Sequence, residues 1–263
     1  MKARAYNYIA AVLALGAAVL LAAPLAAERL VTSVSTHRVL ISSNFTGTEV
    51  VVFGTIEEDE TPVKRETGYD IVVTVRGPMQ TYIARRKERL LGIWVNAESR
   101  EFIDVPSYLA VLMSRPLAEL GDPDFLRRNR IGLVNQTFRQ RIGADFADVV
   151  PQDPFRAAFL RVRASEGLFH EETTGVTFIT PRLFRASVPI PGIAPTGTYQ
   201  VEALLLSGGE TIARETTAIE VLKTGFEELL ATSAREHGLL YGLATALLAI
   251  CTGLLANFMF RRD

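Results

Sequence analysis

Apolar and polar positions alternate along most of residues 30–104 and again along residues 168–222. Stretches such as YDIVVTVRG are rich in β-branched residues, and turn residues such as Gly77 and Pro78 separate one stretch from the next. A period of two places successive side chains on opposite faces of a strand. The spacing of these stretches predicts a mainly β chain whose short strands pack as a β-sandwich.

The later β stretch carries two more specific signals. Gly208 and Gly209 lie between two strand-like runs, which predicts a hairpin turn. Tyr199 follows the turn residue Gly197 at the start of a predicted strand. Because a tyrosine packs at such a corner in immunoglobulin-like sandwiches, the pattern predicts an immunoglobulin-like β-sandwich.

Between the two β stretches, a pair of Asp-Pro steps predicts helix starts. Asp122 precedes Pro123, and Asp153 precedes Pro154. Asp is a favoured N-cap residue, and Pro is favoured at the first helical position. Gly167 provides a stop for the second helix. These signals predict a helical hairpin inserted against the β core, while the segment PSYLAVLMSRPLAEL fits either a helix or a strand.

The C-terminal stretch from residue 239 to residue 260 contains no charged side chain. As an α-helix it is about 33 Å long, enough for a hydrocarbon core of about 30 Å. Soluble helices are rarely apolar on every face over such a length. Arg261 and Arg262 follow at once, and arginines beside a span favour the cytoplasmic side. The sequence predicts one transmembrane helix.

The N-terminal residues 1–27 have the pattern of a signal peptide. Lys2 and Arg4 precede a short apolar stretch, and small residues follow it. Cleavage after Ala27 is the first interpretation, and an uncleaved signal anchor is the alternative. Both place residues 28–238 in the periplasm and the protein in the inner membrane, with its C-terminus in the cytoplasm.

Together these patterns divide the chain into consecutive segments, and they leave open whether the β segments form one domain or two. The predicted segments are a signal peptide (1–27), a β-sandwich domain (28–105), a helical segment (106–167), a second β segment (168–222), a juxtamembrane helix (223–238), a transmembrane helix (239–260) and a cytoplasmic tail (261–263).

Side chains suited to catalysis or metal binding are scattered along the chain. His37, His170 and His237 lie far apart, and none has a Cys or His at ligand spacing. The sequence has no GxSxG nucleophile pattern and no phosphate loop. It therefore predicts no enzyme, no cofactor and no metal site. The net charge of −1 gives no indication of nucleic-acid binding.

The densest basic run, from Arg85 to Arg89, is a candidate anion contact. On a strand Arg85 and Lys87 share one face, while Arg86 points away. Arg85 and Lys87 are therefore the two residues predicted to contact an anion.

A small face on the predicted transmembrane helix is a candidate for helix packing. Gly238 and Gly242 form a GxxxG pair, and Ala246 extends the same face. Small residues let a second helix approach closely within a membrane.

The most distinctive internal stretch contains Trp94 and reads GIWVN, followed by VPSYLAV and an RPL turn. It resembles Alph_Pro_TM, an alphaproteobacterial family of transmembrane proteins, and the resemblance continues to the C-terminal LYGLATALLAICTGLLANFMFRR. It covers nearly all of the predicted exported part and the span. The resemblance supplies no catalytic residues, and it implies a link to neighbouring anion exporters of the sulfite and organosulfonate type.

Two main functional hypotheses follow from the sequence. The first is a membrane-anchored periplasmic accessory or interaction protein, which associates with an integral membrane transporter through its transmembrane helix. The alternative is a membrane-tethered periplasmic domain that binds an oxyanion or acts on one as an enzyme, since arginines bind such groups through paired hydrogen bonds. A purely structural role in the envelope stays open as a third.

Overall fold

The computed structural model of the protein describes residues 28–42, 45–57, 68–142, 145–223, 225 and 233–260. The predicted signal peptide and cytoplasmic tail lie outside these residues. So do residues 224 and 226–232 of the predicted juxtamembrane helix, of which residues 233–236 are helical.

Strands dominate the described chain, which confirms the predicted mainly β fold. The strands are β1 (Arg29–Val34), β2 (Arg38–Ile41), β3 (Gly47–Glu57), β4 (Asp70–Arg76), β5 (Met79–Leu90), β6 (Ile93–Pro106), β7 (Leu109–Met113), β8 (Arg139–Ile142), β9 (Asp145–Asp148), β10 (Phe169–Glu172), β11 (Val176–Phe178), β12 (Leu183–Pro191), β13 (Gly197–Ser207) and β14 (Glu210–Lys223). The helices are α1 (Leu117–Leu120), α2 (Pro123–Arg128), α3 (Pro154–Ser165) and α4 (Gly238–Phe260), and a 3-10 turn covers Leu133–Asn135.

Two sheets pack face to face as a sandwich. One has four strands in the order β1-β3-β12-β11, and the other has six in the order β10-β7-β4-β13-β14-β2. Their facing side chains form one buried cluster, which includes Val52 and Val188 of the first sheet and Val73 and Leu205 of the second. The predicted β segments 28–105 and 168–222 thus supply strands to the same two sheets, because β3 pairs with β12 and β4 pairs with β13.

The central strand β4 is buried on both faces. Ile71 and Val73 point to one side and Val72 and Thr74 to the other, yet each is at most 2% exposed. The segment between β7 and β8 packs on the same core, since Phe125 belongs to its buried cluster. This double burial explains why DIVVTVR is a nearly continuous apolar run and lacks the alternation of a half-exposed strand.

The order of the strands follows a known sandwich arrangement. The β1-β3-β12-β11 sheet and the β4-β13-β14 part of the other sheet follow the ABED and CFG orders of immunoglobulin-type domains. The additional strands differ, because β10 pairs with β7 in parallel and a long hairpin stands between β4 and β7. The immunoglobulin-like classification itself stays a prediction.

The two turn signals in the later β stretch are confirmed. Gly208 and Gly209 have φ angles of 59° and 78° and connect β13 to β14. Tyr199 is fully buried at the start of β13, and its hydroxyl donates a hydrogen bond to the Pro195 carbonyl at 2.6 Å.

Both predicted helix starts are also confirmed. The Asp122 carboxylate accepts a hydrogen bond from the Phe125 amide at 2.6 Å, and the Asp153 carboxylate accepts one from the Phe155 amide at 2.7 Å. The chain leaves α3 through Gly167, whose φ is 73°.

The rest of the segment 106–167 differs from the helical prediction, because it contains β7, β8 and β9 as well as helices. β7 is a strand because its apolar residues pair with β4 on one side and with β10 on the other. Apolar periodicity alone does not distinguish a short buried strand from a buried helix.

A third sheet, in the order β5-β6-β8-β9, joins the sandwich through an aromatic cluster. The ring of Phe159 on α3 lies 5.4 Å from the ring of Tyr82, 5.3 Å from that of Phe102 and 5.9 Å from that of Phe169. Phe102, Phe159 and Phe169 belong to the same buried cluster as the sandwich, so all three sheets share one core.

The C-terminal helix α4 is the feature that sets this chain apart from a soluble sandwich. Over Gly238–Asn257 its mean hydropathy is 2.1, and none of this window is buried. The predicted uncharged span 239–260 is therefore a helix that is long and apolar enough to cross a membrane.

Candidate functional site

The hairpin formed by β5 and β6 leaves the sandwich at the end from which the chain also continues to α4. In the six-stranded sheet, β4 and β14 both pair antiparallel with β13 and therefore run in the same direction. Arg76 at the end of β4 lies opposite Gln200, and Val221 near the end of β14 lies opposite Gly197. Both strand ends therefore lie beside the start of β13, and we call this end of the sandwich the anchor end.

Two arginines on α3 fix the base of the hairpin and the neighbouring loop. Arg163 donates hydrogen bonds at 2.8 Å to the Tyr82 hydroxyl and to the Ser107 carbonyl, and its guanidinium lies 4.5 Å from the centre of the Tyr82 ring. Arg156 is only 4% exposed, and it donates to the carbonyls of Val134 and Gln136. Burial lowers the pKa of Arg156 below its ordinary value, and the carbonyl oxygens offset part of the cost of burying its charge.

The outer part of the hairpin pairs with no third strand among the described residues, and α3 contacts only its base. β8 pairs with β6 only at Phe102 and Ile103, so the two strands extend beyond these residues without a third. The hairpin ends in an apolar tip that we define as Leu90–Trp94. Leu91 is 98% exposed and Trp94 is 69% exposed. Leu91 also has a positive φ of 50°, which a leucine rarely adopts.

The register of the hairpin places three cations on the same face as the tryptophan. Arg89 lies directly opposite Trp94, and Lys87 lies directly opposite Asn96, so these side chains share a face with Arg85. Among the described residues Arg85 and Lys87 have no ion-pair partner.

Arg86 lies on the other face, where it is already paired. Its guanidinium is 2.7 Å from the carboxylate of Glu88 and 3.3 Å from that of Glu98. It also stacks 5.9 Å from the centre of the Phe155 ring. The geometry thus separates Arg86 from the two predicted anion contacts.

A small cavity lies where β5 meets the first turn of α3. Its volume is about 260 Å³, and the residues that line it are Ala84, Arg85, Arg86, Lys87, Pro154, Phe155 and Ala158. Arg86, which stacks on Phe155, faces this cavity. Arg85 and Lys87 also border it, but the alternation of β5 directs their side chains to the opposite face.

The small face predicted on α4 is open along its length. A Cβ atom added to Gly238, Gly242 or Gly253 would meet nothing within 4 Å. At 100° per residue, Ala246 and Gly253 fall on the same side of the helix as the first two glycines. The structure thus leaves this face of α4 without a neighbour among the described residues.

The apolar tip is the feature that the sequence interpretation did not identify as a site. LLGIW was assigned to a strand, and the exposure of its side chains depends on which elements stop short of it. The available signal was a turn with Leu91 before Gly92, where a soluble hairpin would favour Asn-Gly or Asp-Gly. The described residues contain no group of three or more His, Cys, Asp or Glu that could hold a metal ion.

The described residues combine a mainly β fold with one exposed apolar helix, α4, which is a candidate membrane span. A family model described as "Putative transmembrane protein (Alph_Pro_TM)" matches residues 29–262. The chain belongs to this family, as the resemblance in the sequence indicated, and it is a membrane protein. The search of curated proteins found no match.

Proposed function

We propose that the protein is a non-enzymatic accessory protein of the inner membrane, with its β-sandwich in the periplasm and its C-terminus in the cytoplasm. The observation that carries this proposal is α4, which is uncharged, exposed and joined to a folded β module. Arg261 and Arg262 favour the cytoplasmic side for the end of the helix.

The partner in this proposal is an integral membrane transporter that packs against the small face of α4. Gly238, Gly242, Ala246 and Gly253 would allow close approach of a second helix. An anion exporter of the sulfite or organosulfonate type is the transporter class that the family resemblance implies. The exported sandwich would then lie beside the periplasmic mouth of that transporter.

Affinity purification of the full-length protein in mild detergent tests this proposal. Gly242→Leu fills the small face, and we expect it to lower the recovery of a multi-span transporter roughly tenfold, which corresponds to about 1.4 kcal/mol. Ala244→Leu is the matched control, because it adds the same side chain to the opposite face of α4 and should leave recovery unchanged. Monomer alone in every preparation, or equal recovery with Gly242→Leu, would refute the proposal.

A second candidate function, oxyanion binding, is favoured by Arg85 and Lys87, which share one face of β5 and have no ion-pair partner among the described residues. Sulfate titrated into the full-length protein at constant ionic strength should perturb the NMR resonances of this region. The same titration of the variant with Arg85→Gln and Lys87→Gln should show no change. Equal responses of both proteins would count against a site there.

A further inference from the structure

The exposed tip Leu90–Trp94 has no role in the function proposed above. We propose that this tip inserts into the interfacial region of the bilayer that α4 crosses, and so gives the chain a second membrane contact. The chemistry it recognises is that of a lipid surface, with acyl chains near the headgroups and anionic headgroups beside them. The inference depends on α4 as an anchor and does not depend on a protein partner.

The turn at the tip has the wrong residue for a hairpin that ends in water. Leu91 and Gly92 both have positive φ angles, of 50° and 91°. Turns of this kind favour Asn-Gly or Asp-Gly, because a left-handed conformation is unfavourable for an ordinary side chain. Leu91 is 98% exposed, so no burial within the described chain compensates this cost. Backbone strain at an exposed apolar residue indicates that this residue contacts a binding partner outside the described chain.

The neighbours of Leu91 make the tip an apolar patch with an interfacial composition. Leu90, Ile93 and Trp94 are all more than half exposed. Tryptophan is enriched where membranes meet water, because its ring is apolar and its N–H is polar. A contiguous exposed apolar surface of this kind marks an interaction site.

The cations next to the tip fit the depth of the interface. At about 3.3 Å per residue, Arg89 lies about 7 Å and Lys87 about 13 Å behind Leu91 along the strand. Amphipathic segments bury their apolar side about 5–10 Å into the headgroup boundary. Arg89 and Lys87 would then lie near the level of the headgroups, where anionic lipids attract their charges.

The position of the hairpin in the fold favours the membrane as the surface that the tip contacts. The hairpin starts at the anchor end of the sandwich, from which the chain continues to α4. Residues 224–232 can span up to about 30 Å, the helical residues 233–236 add about 6 Å, and the hairpin is about 40 Å long. The connection therefore lets the tip reach the surface of the same bilayer.

A second copy of the chain is a less suitable partner for the tip than a lipid surface. A symmetric contact would bring Arg85, Lys87 and Arg89 of one copy towards the same cations of the other. Like charges that face each other across an interface oppose association. Anionic lipid headgroups instead match these cations.

The fluorescence of Trp94 tests the proposal directly, because it is the only tryptophan in the sequence. The full-length protein is reconstituted into vesicles of phosphatidylethanolamine and phosphatidylglycerol, with or without bromine on the acyl chains. We expect the emission to lie to the blue of that of the unfolded chain and to lose most of its intensity in the brominated vesicles. Emission typical of a water-exposed indole, with no quenching by brominated lipid, would overturn the proposal.

A variant that stabilises the turn but opposes insertion into the bilayer separates the stability of the hairpin from its contact with lipid. Leu91→Asp gives the favoured Asp-Gly turn and should preserve or raise the stability of the hairpin. It also places a negative charge at the tip, so we expect most of the quenching by brominated lipid to disappear. Full quenching in this variant would show that the apolar side chain of Leu91 does not drive the lipid contact, and would overturn the proposed role of the tip.

The matched control is Ile179→Asp, at the other end of the sandwich. Ile179 is 59% exposed and lies just before the start of β12. The other end of β12 lies at the anchor end, because residues 192–196 connect it to Gly197. This variant should keep the quenching of the unmodified protein. If Trp94 is instead shielded from aqueous iodide only at high protein-to-lipid ratios, without quenching by brominated lipid, the tip binds a second copy and the proposal is wrong.

Discussion

Tyr108 and Tyr199 form a buried pair between the two sheets of the sandwich. Their ring centroids are 5.5 Å apart, and both side chains are fully buried. The Tyr108 hydroxyl donates to the Pro189 carbonyl of β12, while the Tyr199 hydroxyl donates to the Pro195 carbonyl. Burial raises the pKa of both phenols above the ordinary value of about 10, because a phenolate would lose its hydration in the core.

These raised pKa values predict a loss of stability at high pH. The native state keeps the two protons at a pH where the unfolded chain releases them, so the contribution to stability is complete below about pH 10 and falls as the pH rises beyond it. Each pH unit in this window lowers the free energy of unfolding by about 1.4 kcal/mol for each tyrosine. Urea unfolding of the full-length protein in detergent, followed by circular dichroism at about pH 8 and about pH 11, measures the effect.

The matched variant for this prediction carries Tyr108→Phe and Tyr199→Phe. It loses two hydrogen bonds, at a cost of about 1 kcal/mol each near neutral pH, but it should show a much weaker decrease of stability above pH 10. An equal decrease in both proteins would assign the alkaline unfolding to other groups.

The two tyrosines also show what the sequence reveals at the residue scale. Tyr199 was predicted because its hydrogen-bond partner Pro195 lies only a few residues away and the Gly197 turn adjoins it. Tyr108 was not predicted, because its partner Pro189 is distant in the chain and becomes a neighbour only when the sheets pack.

At the scale of elements, the accurate predictions are those whose interacting residues are close in the sequence, and the others depend on residues that are distant. The caps at Asp122 and Asp153 and the turn at Gly208 and Gly209 depend on adjacent residues, and all of them are confirmed. The strand β7 was ambiguous, because its identity depends on pairing with two segments that are far away in the sequence.

In the candidate site too, the feature set by adjacent residues was predicted and the feature set by distant segments was not. Alternation predicted that Arg85 and Lys87 share a face, and the register of β5 and β6 places them so. The apolar tip was not predicted as a site, because a strand pattern does not show where the neighbouring strands end. β8 stops at the level of Phe102 and Ile103, and this absence of a third strand leaves Leu91 and Trp94 exposed.

At the scale of the whole molecule, the order of the elements separates a folded module from its anchor. The described part of residues 28–223 shares one core, while α4 has no buried residue over Gly238–Asn257. The three sheets can therefore complete their packing without α4. The membrane holds the module through residues 224–237, and the proposed tip contact would restrict its orientation on that surface.

This separation predicts a clear result for fusions to a phosphatase that is active only in the periplasm. A fusion after Lys223, at the end of β14, should be active because the sandwich is complete, and soluble if the signal peptide is cleaved after Ala27, because α4 is missing. A fusion after Asp263 should be inactive and should stay in membranes washed with alkaline carbonate, because α4 crosses the bilayer and Arg261 and Arg262 keep its end in the cytoplasm. Activity of the second fusion would reverse the orientation, and its release by carbonate would show that α4 does not span the membrane. Since the first fusion carries the same sandwich, its activity would exclude misfolding as the reason for a silent second fusion.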